Sequence, residues 1–293
     1  MAEGVFVGLS TIDIVYAVDE FPKPNSKVSA RCQDVYVGGP ATNAAVTFAH
    51  LGGRSTLVTA VGRHPLADSI AKEIHRRSIK FIDLHPDFAG TPVISSIFVN
   101  PLGERNVVSA NSIRIHIPPP QVDLAAIQKA SVLLVDGHYM QACQAWARAS
   151  RSQRIPVVLD GGSWKDGAGE LLQSIDTAIC SEDFMPPGCT GEDDVIAYLQ
   201  SCGVTNIAIT KGAAPIRFHS KAASGSMKVP SVEPVDTMGA GDIFHGAFCY
   251  FSSEGKGFVE ALGEAAQVAA ESCRHQGTRE WMKYFNTQSA STP

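Results

Sequence analysis

The sequence lacks the features that direct a chain to a membrane, to secretion or to nucleic acid. No apolar run reaches the roughly 18 residues of a membrane-spanning helix. The first twenty residues carry no basic segment and include Asp13 and Asp19, so we expect no signal peptide and a cytoplasmic location. Twenty-four basic residues against 29 acidic ones give a net charge of -5, which leaves no cationic excess for a phosphodiester backbone. We therefore expect neither a membrane nor a nucleic acid as a partner.

Paired cysteines and the standard nucleotide-binding fingerprints are also missing. The seven cysteines are scattered without a C-x-x-C pair, which argues against a disulfide framework and a zinc knuckle. Neither G-x-x-x-x-G-K-[ST] nor G-x-G-x-x-G occurs. What the chain does have is length, 293 residues, and 44% hydrophobic composition, enough for an extensive core. We expect a single domain over residues 1–293.

Short continuous apolar runs predict strands that are covered on both faces. Helix-period stretches at 67–77, 141–151 and 193–202 lie between them. This alternation predicts an α/β fold with a doubly wound, mostly parallel sheet flanked by helices. The apolar runs are Val5–Val7, Leu57–Val61, Val132–Val135, Val157–Leu159 and Ile207–Thr210.

Two other regions alternate with period two and predict half-exposed strands. One begins at Val28 and continues to Val37. The other pairs 93–99 with 105–109 across the turn-forming residues 100–103. Inserts at about 14–37 and 91–115 would thus form a small β-sheet lid. An edge extension of the main sheet is the alternative.

The strongest local signal is the segment DTMGAGDIFHGAF at 236–248. Apolar residues recur at helical spacing from Ile243, so a helix is predicted to begin near Gly241. Gly239, Ala240 and Gly241 leave space for an anion at the free amides of its first turn. A carboxylate at Asp242 would then lie beside that anion. The alternative is a glycine turn with Asp242 as a cap.

A second glycine segment, GGPATNAAV, spans residues 38–46. Its small residues would let a ligand approach the N-terminus of a helix, where Asn43 offers both a donor and an acceptor. Close packing of an alanine-rich helix, with Asn43 as a local cap, is the other reading.

In this order, the two segments resemble the two signatures of the ribokinase family of carbohydrate kinases, named also after the minor phosphofructokinase. The likeness covers nearly the whole chain, including an opening strand ending in Asp13, the lid inserts and Thr210-Lys211-Gly212. It implies a ribokinase-like fold and transfer of the γ-phosphoryl group of ATP, with Mg²⁺, to a sugar hydroxyl. Whether a monovalent cation is also required is left open.

The resemblance also implies site residues. Asp242 matches the catalytic base, and Gly239, Ala240 and Gly241 match the anion hole. Positions that contact the sugar are matched by Asp13, Gly38, Gly39, Asn43, Glu104 and Arg105. The nucleotide side is matched by Thr210, Lys211, Gly212, Thr237, Ala266 and Ala269.

One departure concerns the metal. Many family members carry Asn-x-x-Glu, which organises the water shell of magnesium, whereas this chain has Ser181 and Phe184 at those two places. Glu182, acting through water, is our candidate for the metal, and Asp183 is a second. A solvated acidic loop is the alternative.

The nature of the substrate is less well defined. Residues 21–24 and the Ser181-Glu182 variant resemble ketohexokinase and the sulfofructose kinases, so a ketohexose or related monosaccharide is expected. A phosphate or sulfonate on that sugar would need a cation, for which Lys27, Arg31, Arg105 and Arg114 are candidates. His138 and Tyr139 are either sugar contacts or structural residues.

Two other functions remain open: a nucleoside kinase, and a binding protein without turnover. Phe98 is the lid aromatic that a nucleoside would stack on. We also expect a homodimer joined through the lid, because an exposed sheet face favours association, and a frayed polar tail after Trp281.

Overall fold

The protein was analysed as a computed structural model, which describes residues 1–112 and 115–285. A nine-stranded sheet, ordered β13-β12-β11-β10-β9-β8-β1-β4-β5, forms its centre. Its strands are β1 (Glu3–Val7), β4 (Arg54–Thr59), β5 (Lys80–Asp83), β8 (Val132–Val135), β9 (Val157–Gly161), β10 (Thr177–Ser181), β11 (Asn206–Lys211), β12 (Ala214–His219) and β13 (Ser224–Met227).

The sheet is parallel from β11 through to β5, and β12 and β13 add an antiparallel edge. All four residues of β8 are buried, as a strand covered on both faces requires. The predicted parallel strands are therefore confirmed, with shifts of a few residues at their ends.

Helices cover both faces of this sheet and create two apolar cores. Phe48, Ile70 and Phe248 belong to one core, and Ile127, Trp146 and Leu199 belong to the other. The doubly wound arrangement is thus confirmed. The helices are α1 (Pro40–His50), α2 (Ala67–Arg76), α3 (Leu124–Lys129), α4 (Met140–Ser152), α5 (Ala168–Leu172), α6 (Glu192–Ser201), α7 (Ala240–Ser253) and α8 (Phe258–Ser272), followed by a 3-10 turn at Glu280–Lys283.

A second sheet of four strands, ordered β3-β2-β6-β7, stands apart from the main sheet. The reading as an edge extension is therefore wrong, and we call this sheet the lid. Its strands are β2 (Thr11–Ala17), β3 (Cys32–Gly38), β6 (Ile94–Val99) and β7 (Arg105–Ser109). Val15 and Ile97 on its inner face pack against Met238, just before α7.

Two predictions about the lid need correction. The opening strand does not continue to Asp13: it ends at Val7, and Asp13 lies in β2 of the lid. The strand expected from Val28 begins only at Cys32, because residues 22–30 form an exposed loop that does not pair with the lid. Arg114 and most of the tail expected to be frayed lie outside the described residues.

In the parts of the chain that the structure describes, no helix combines the length and the apolar composition needed to span a membrane.

Candidate active site

Carboxylates gather where the parallel strands of the main sheet end. Asp136 follows β8, and Asp160 lies near the end of β9. Asp242 comes from the first turn of α7 and Asp13 from β2 of the lid. The carboxyl edge of a parallel sheet is the usual location of a ligand crevice, so this cluster marks the candidate site.

The start of α7 presents free amides to this crevice. Gly239 precedes the helix with a φ of 69°, a left-handed conformation that suits glycine. The Ala240 amide donates to Thr237 O and the Ile243 amide to Gly239 O. Among the described residues, the amides of Gly241 and Asp242 have no protein acceptor. A Cβ added to Gly241 would meet nothing within 4 Å, so an anion can reach both amides.

Asp242 lies half-buried beside these amides. Its Oδ2 accepts a hydrogen bond of 2.6 Å from Asn43 Nδ2. Burial, helped by the charges of Asp160 and Asp13, raises the pKa of Asp242 to about 7, against the opposing effects of Asn43 and His245. A carboxylate with a pKa near neutrality can accept a proton from an alcohol at physiological pH.

His245 lies one turn further along α7 and faces Asp160. Its Nδ1 is 2.7 Å from Gly241 O and 3.6 Å from Asp160 Oδ2, and its Nε2 is 3.1 Å from Ile179 O. Both ring nitrogens thus lie next to protein oxygens, which fix the orientation of the ring. Burial raises the pKa of Asp160. Sequence reasoning missed both His245 and Asp160. The signal that could have indicated Asp160 is an acidic residue near the end of a buried strand.

Asp13 lies against the second glycine segment. It is 8% exposed and accepts a hydrogen bond of 2.7 Å from Thr11 Oγ1. A Cβ added to Gly38 would overlap Asp13 Oδ2, so this close approach requires glycine. Burial raises the pKa of Asp13, opposed by hydrogen bonds from Thr11 and Ser95 and by the charge of Arg279.

The N-terminus of α1 is not free for a ligand. The Asp136 carboxylate accepts from the amides of Ala41 at 3.3 Å and Leu9 at 2.8 Å. A Cβ on Gly8 would overlap this carboxylate. The prediction that a ligand reaches the first amides of this helix is therefore wrong, because Asp136 already supplies the negative charge there. Gly39, with a φ of 96°, is buried at the same turn.

Arg279, which follows α8, also enters the site, and nothing in the sequence indicates it. Its Nη1 donates to Asn43 Oδ1 at 2.8 Å, and its Nη2 donates to Val37 O at 2.9 Å. It therefore brings a cation beside Asn43, which Lys27, Arg31 and Arg105 of the lid do not.

Three of the residues predicted for the nucleotide, Thr210, Lys211 and Gly212, lie at the end of β11. Thr237 lies just before α7, and Ala266 and Ala269 lie in α8. Lys211 Nζ is 3.2 Å from Glu182 Oε2, and the Glu182 amide donates to Thr210 O. Gly212 opens the β11–β12 turn with a φ of 53°. Thr237 is exposed and Ala269 is partly exposed. Ala266 is 2% exposed in the core, so the prediction that it borders adenine is wrong.

The segment in place of the family's metal motif, residues 181–184, has both exposed and buried side chains. Phe184 is buried and packs against Trp164, so it offers no ligand. Ser181 Oγ donates to Gly162 O. The Glu182 and Asp183 carboxylates stay exposed. Because Mg²⁺ is commonly held by one or two carboxylates, waters and substrate phosphates, Glu182 fits such a role.

Several predicted contacts are not brought to this site. In the lid register Ser95 lies beside Asp13, whereas Arg105 lies beside Val99, about 13 Å further along the strand at ~3.3 Å per residue. Glu104 is exposed and bonded to Asn100. The described lid does not bring them to Asp13, and their role as sugar contacts stays a prediction.

The remaining candidates have other partners. Arg31 is 3.1 Å from Asp19, and Lys27 is exposed in a loop. The Tyr139 hydroxyl donates to Ala60 O from a buried position, so this tyrosine is structural. Burial and Lys165 lower the pKa of His138, whose partly buried ring lies near Asp136 and Asp160.

Comparisons with known proteins agree with this geometry. The chain is 24% identical over 283 residues to a ribokinase of Haemophilus influenzae, covering 93% of this chain and 92% of that protein. It is 22% identical over 291 residues to a deoxyribokinase of Salmonella typhimurium, covering 93% of each.

A solved ribokinase from Thermotoga maritima superposes with a TM-score of 0.81 and 25% identity over 97% of this chain and 98% of that one. The profile of the pfkB family carbohydrate kinases matches residues 1–283. Kinases of this family use ATP with Mg²⁺. The chain therefore belongs to the pfkB family of carbohydrate kinases.

Proposed function

We propose that the enzyme transfers the γ-phosphoryl group of ATP to a primary hydroxyl of a small, uncharged monosaccharide, with Asp242 as the general base. The observation that carries this proposal is the juxtaposition at the start of α7: a carboxylate with a pKa near 7 beside two amides without a protein acceptor. A proton acceptor and an anion site are the two elements that phosphoryl transfer to an alcohol needs.

The proton step follows from the contacts of Asp242. Asn43 Nδ2 donates a hydrogen bond to Asp242 Oδ2, so Oδ1 of Asp242 is left to accept the proton of the attacking hydroxyl. Asp13, held by Thr11 beside Gly38, is placed to accept a hydrogen bond from another sugar hydroxyl. Such a positioned base contributes about 10²–10⁴-fold to the rate.

The charge of the phosphoryl group would be stabilised by the amides of Gly241 and Asp242, at the positive end of α7. Lys211, Thr210 and Gly212 lie at the adjacent strand ends, where they would border the other phosphates and the ribose of ATP. Thr237 and Ala269 would complete the nucleotide site. Glu182 would hold Mg²⁺ through water, and the metal when bound supplies charge neutralisation. The need for a monovalent cation stays a prediction.

The acceptor is best described as a furanose. The sequence favours a ketohexose, whereas the relatives reported above are named for ribose and deoxyribose. All of these sugars form five-membered rings with an exocyclic primary hydroxyl. Among the described lid cations, Lys27, Arg31 and Arg105 have no contact with the site residues, so we favour an uncharged sugar over a phosphorylated or sulfonated one.

A nucleoside is the less favoured acceptor. Phe98 stacks on Tyr16, 5.4 Å between ring centroids, on the face of the lid opposite the one that packs on Met238. On the inner face, the Tyr36 ring packs against Met238 and approaches Gly277. Phe98, the aromatic predicted to stack on a base, thus lies on the face turned away from Met238, which supports a sugar without a base.

The test is ADP release with ribose, 2-deoxyribose, fructose, fructose phosphates and adenosine. We expect Asp242→Asn to lower turnover on the best sugar by at least about 100-fold, with the KM for ATP largely kept, because only proton acceptance is lost. Glu254→Gln, which removes an exposed carboxylate at the other end of α7, is the matched control.

Equal turnover in Asp242→Asn and the parent would exclude Asp242 as the base. Release of ADP with adenosine alone would favour the nucleoside kinase. Thermal stabilisation by a sugar without any ADP would favour a binding protein that has lost turnover.

A further inference from the structure

Arg279 reaches the centre of the site from the segment that follows α8. Its side chain is 14% exposed, and its guanidinium contacts three separate elements. Nη1 donates to Asn43 of α1, Nη2 donates to Val37 O of β3, and Nε lies 3.5 Å from Glu73 Oε1 of α2. Val37 O and the Glu73 carboxylate therefore hold the planar guanidinium in place together with Asn43.

The consequence is an oriented amide at Asn43. Its Oδ1 accepts from Arg279, and its Nδ2 donates to Asp242 Oδ2 at 2.6 Å. A flipped amide would place its NH₂ against the guanidinium donors and its carbonyl against the carboxylate, so both contacts would become repulsive. The cation on one side and the carboxylate on the other admit a single orientation.

The charges around this chain of contacts favour the same arrangement. Asp242 is faced by Asp13 from the lid, Asp160 from β9 and His245 from its own helix. Arg279 is faced by the Glu73 carboxylate and by Arg77, and its charge also interacts with Asp242 and Asp13. Burial lowers the pKa of Arg279 to about 10, which leaves it charged at neutral pH.

We propose that Arg279 is a positioning residue for phosphoryl transfer: it holds the Asn43 amide in the orientation that donates to Asp242, and so keeps that carboxylate available as the base. The inference rests on the proposed role of Asp242. Within the described structure Arg279 makes no hydrogen bond of its own to the carboxylate, so its hydrogen-bonded route to Asp242 runs through Asn43, in addition to the attraction between the two charges.

A double-mutant cycle tests this chain of action. We expect Arg279→Met and Asn43→Ala each to lower kcat/KM for the sugar by about 10- to 100-fold, with the KM for ATP within about threefold of the parent. Each should move the acidic limb of the kcat/KM profile to higher pH, because Asp242 loses a donor that favours its charged form. The kcat/KM of the double variant should be at most about threefold lower than that of Asn43→Ala.

Losses that multiply in the double variant would overturn the proposal, because they would mean independent roles. Arg77→Gln is the matched control: the Arg77 side chain shares Glu73 with Arg279, and its other hydrogen-bond partner within residues 1–112 and 115–285 is Met282. It should stay within about twofold of the parent. If Arg279→Met does not fold, Arg279→Lys replaces it in the cycle, since a lysine cannot hold Asn43 and Val37 in the same fork. An Arg279→Lys enzyme equal to the parent would overturn the proposal too.

A spectroscopic measurement separates this proposal from the kinase assignment. The side-chain NH₂ signal of Asn43, identified by its loss in Asn43→Ala, should follow the titration of Asp242 in the parent and cease to do so in the Arg279 variant. An unchanged response in that variant would refute the positioning role. A parent that phosphorylates no sugar would refute the proposed function alone, and the NMR result would still decide the role of Arg279.

Discussion

At the residue scale, Asp242 combines properties that sequence alone only partly anticipates. The spacing from Ile243 onward predicts a helix start and therefore free amides near Gly241. The environment of the carboxylate depends on Asp160 and Asp13, which arrive from different elements. Long-range neighbours of this kind leave no local pattern, so its raised pKa could not be predicted.

The pH dependence of the rate follows from that environment. Because burial raises the pKa of Asp242 to about 7, the base is half-protonated near neutrality, and activity should rise as pH increases through about 7. A kcat/KM profile for the sugar between pH 5.5 and 9 checks this. An acidic limb near pH 4, the ordinary range of an exposed aspartate, would show that Asp242 is not buried as described or is not the base.

Other residues show the same limit of sequence reasoning. Gly38 and Asn43 could be located from the small-residue segment, and Asp13 from the resemblance. Arg279 could not, because its partners Asn43 and Val37 lie more than 230 positions away. The Asp136 carboxylate likewise accepts a hydrogen bond from the N-terminus of α1, 95 residues earlier in the chain. The pairing of β1 with β8 brings the two together, so the sequence alone does not indicate this contact.

At the scale of elements, the buried strands were predictable and the lid strands were only partly so. Val132–Val135 and its neighbours are covered on both faces, and a continuous apolar run records that burial. The first four residues of β3 are exposed, so their apolar pattern is weak and extends falsely into the loop before Cys32. The hairpin of β6 and β7 was predictable because a turn joins its strands directly.

Packing of α7 on α1 is a second feature that a local pattern does not record. Gly246 lies inside α7, where a Cβ would overlap Ala44 O and lie 2.8 Å from Thr47 Cβ. The two helices that carry Asp242 and Asn43 thus approach through a glycine. This approach keeps the two side chains within hydrogen-bond distance.

We therefore expect Gly246→Ala to destabilise the protein by about 1–3 kcal/mol, because the added methyl must push the two backbones apart. Gly263→Ala in α8 is the matched control: its Cβ would meet Met227 Sδ at an ordinary 3.6 Å. That variant should be neutral or more stable by up to about 1 kcal/mol, the usual difference between alanine and glycine in a helix. Urea unfolding of both variants measures the difference, and equal stabilities would contradict this account of the α1–α7 contact.

At the scale of the whole molecule, two valines of the described lid expose apolar surface on its outer face. Val35 and Val108 lie at the two ends of one row across that face, and between them lie Ser96 and Ile14, which packs against the main core. Val35 is 61% exposed and Val108 is 67% exposed. An exposed apolar sheet face of this kind is an unfavourable surface for a monomer. A second copy of the chain, related by twofold symmetry, would cover the same face on both protomers.

The expected assembly is accordingly a homodimer joined through the outer faces of two lids, which light scattering at micromolar concentration should detect. Val108→Lys should shift it to a monomer, because a charge would be buried at the centre of the interface. Val107→Lys is the control: the adjacent valine is 57% exposed but lies on the row of Val15 and Ile97, which faces the main domain. A monomeric parent would exclude the dimer. A Val107→Lys protein that dissociates while Val108→Lys stays dimeric would show that the interface lies elsewhere.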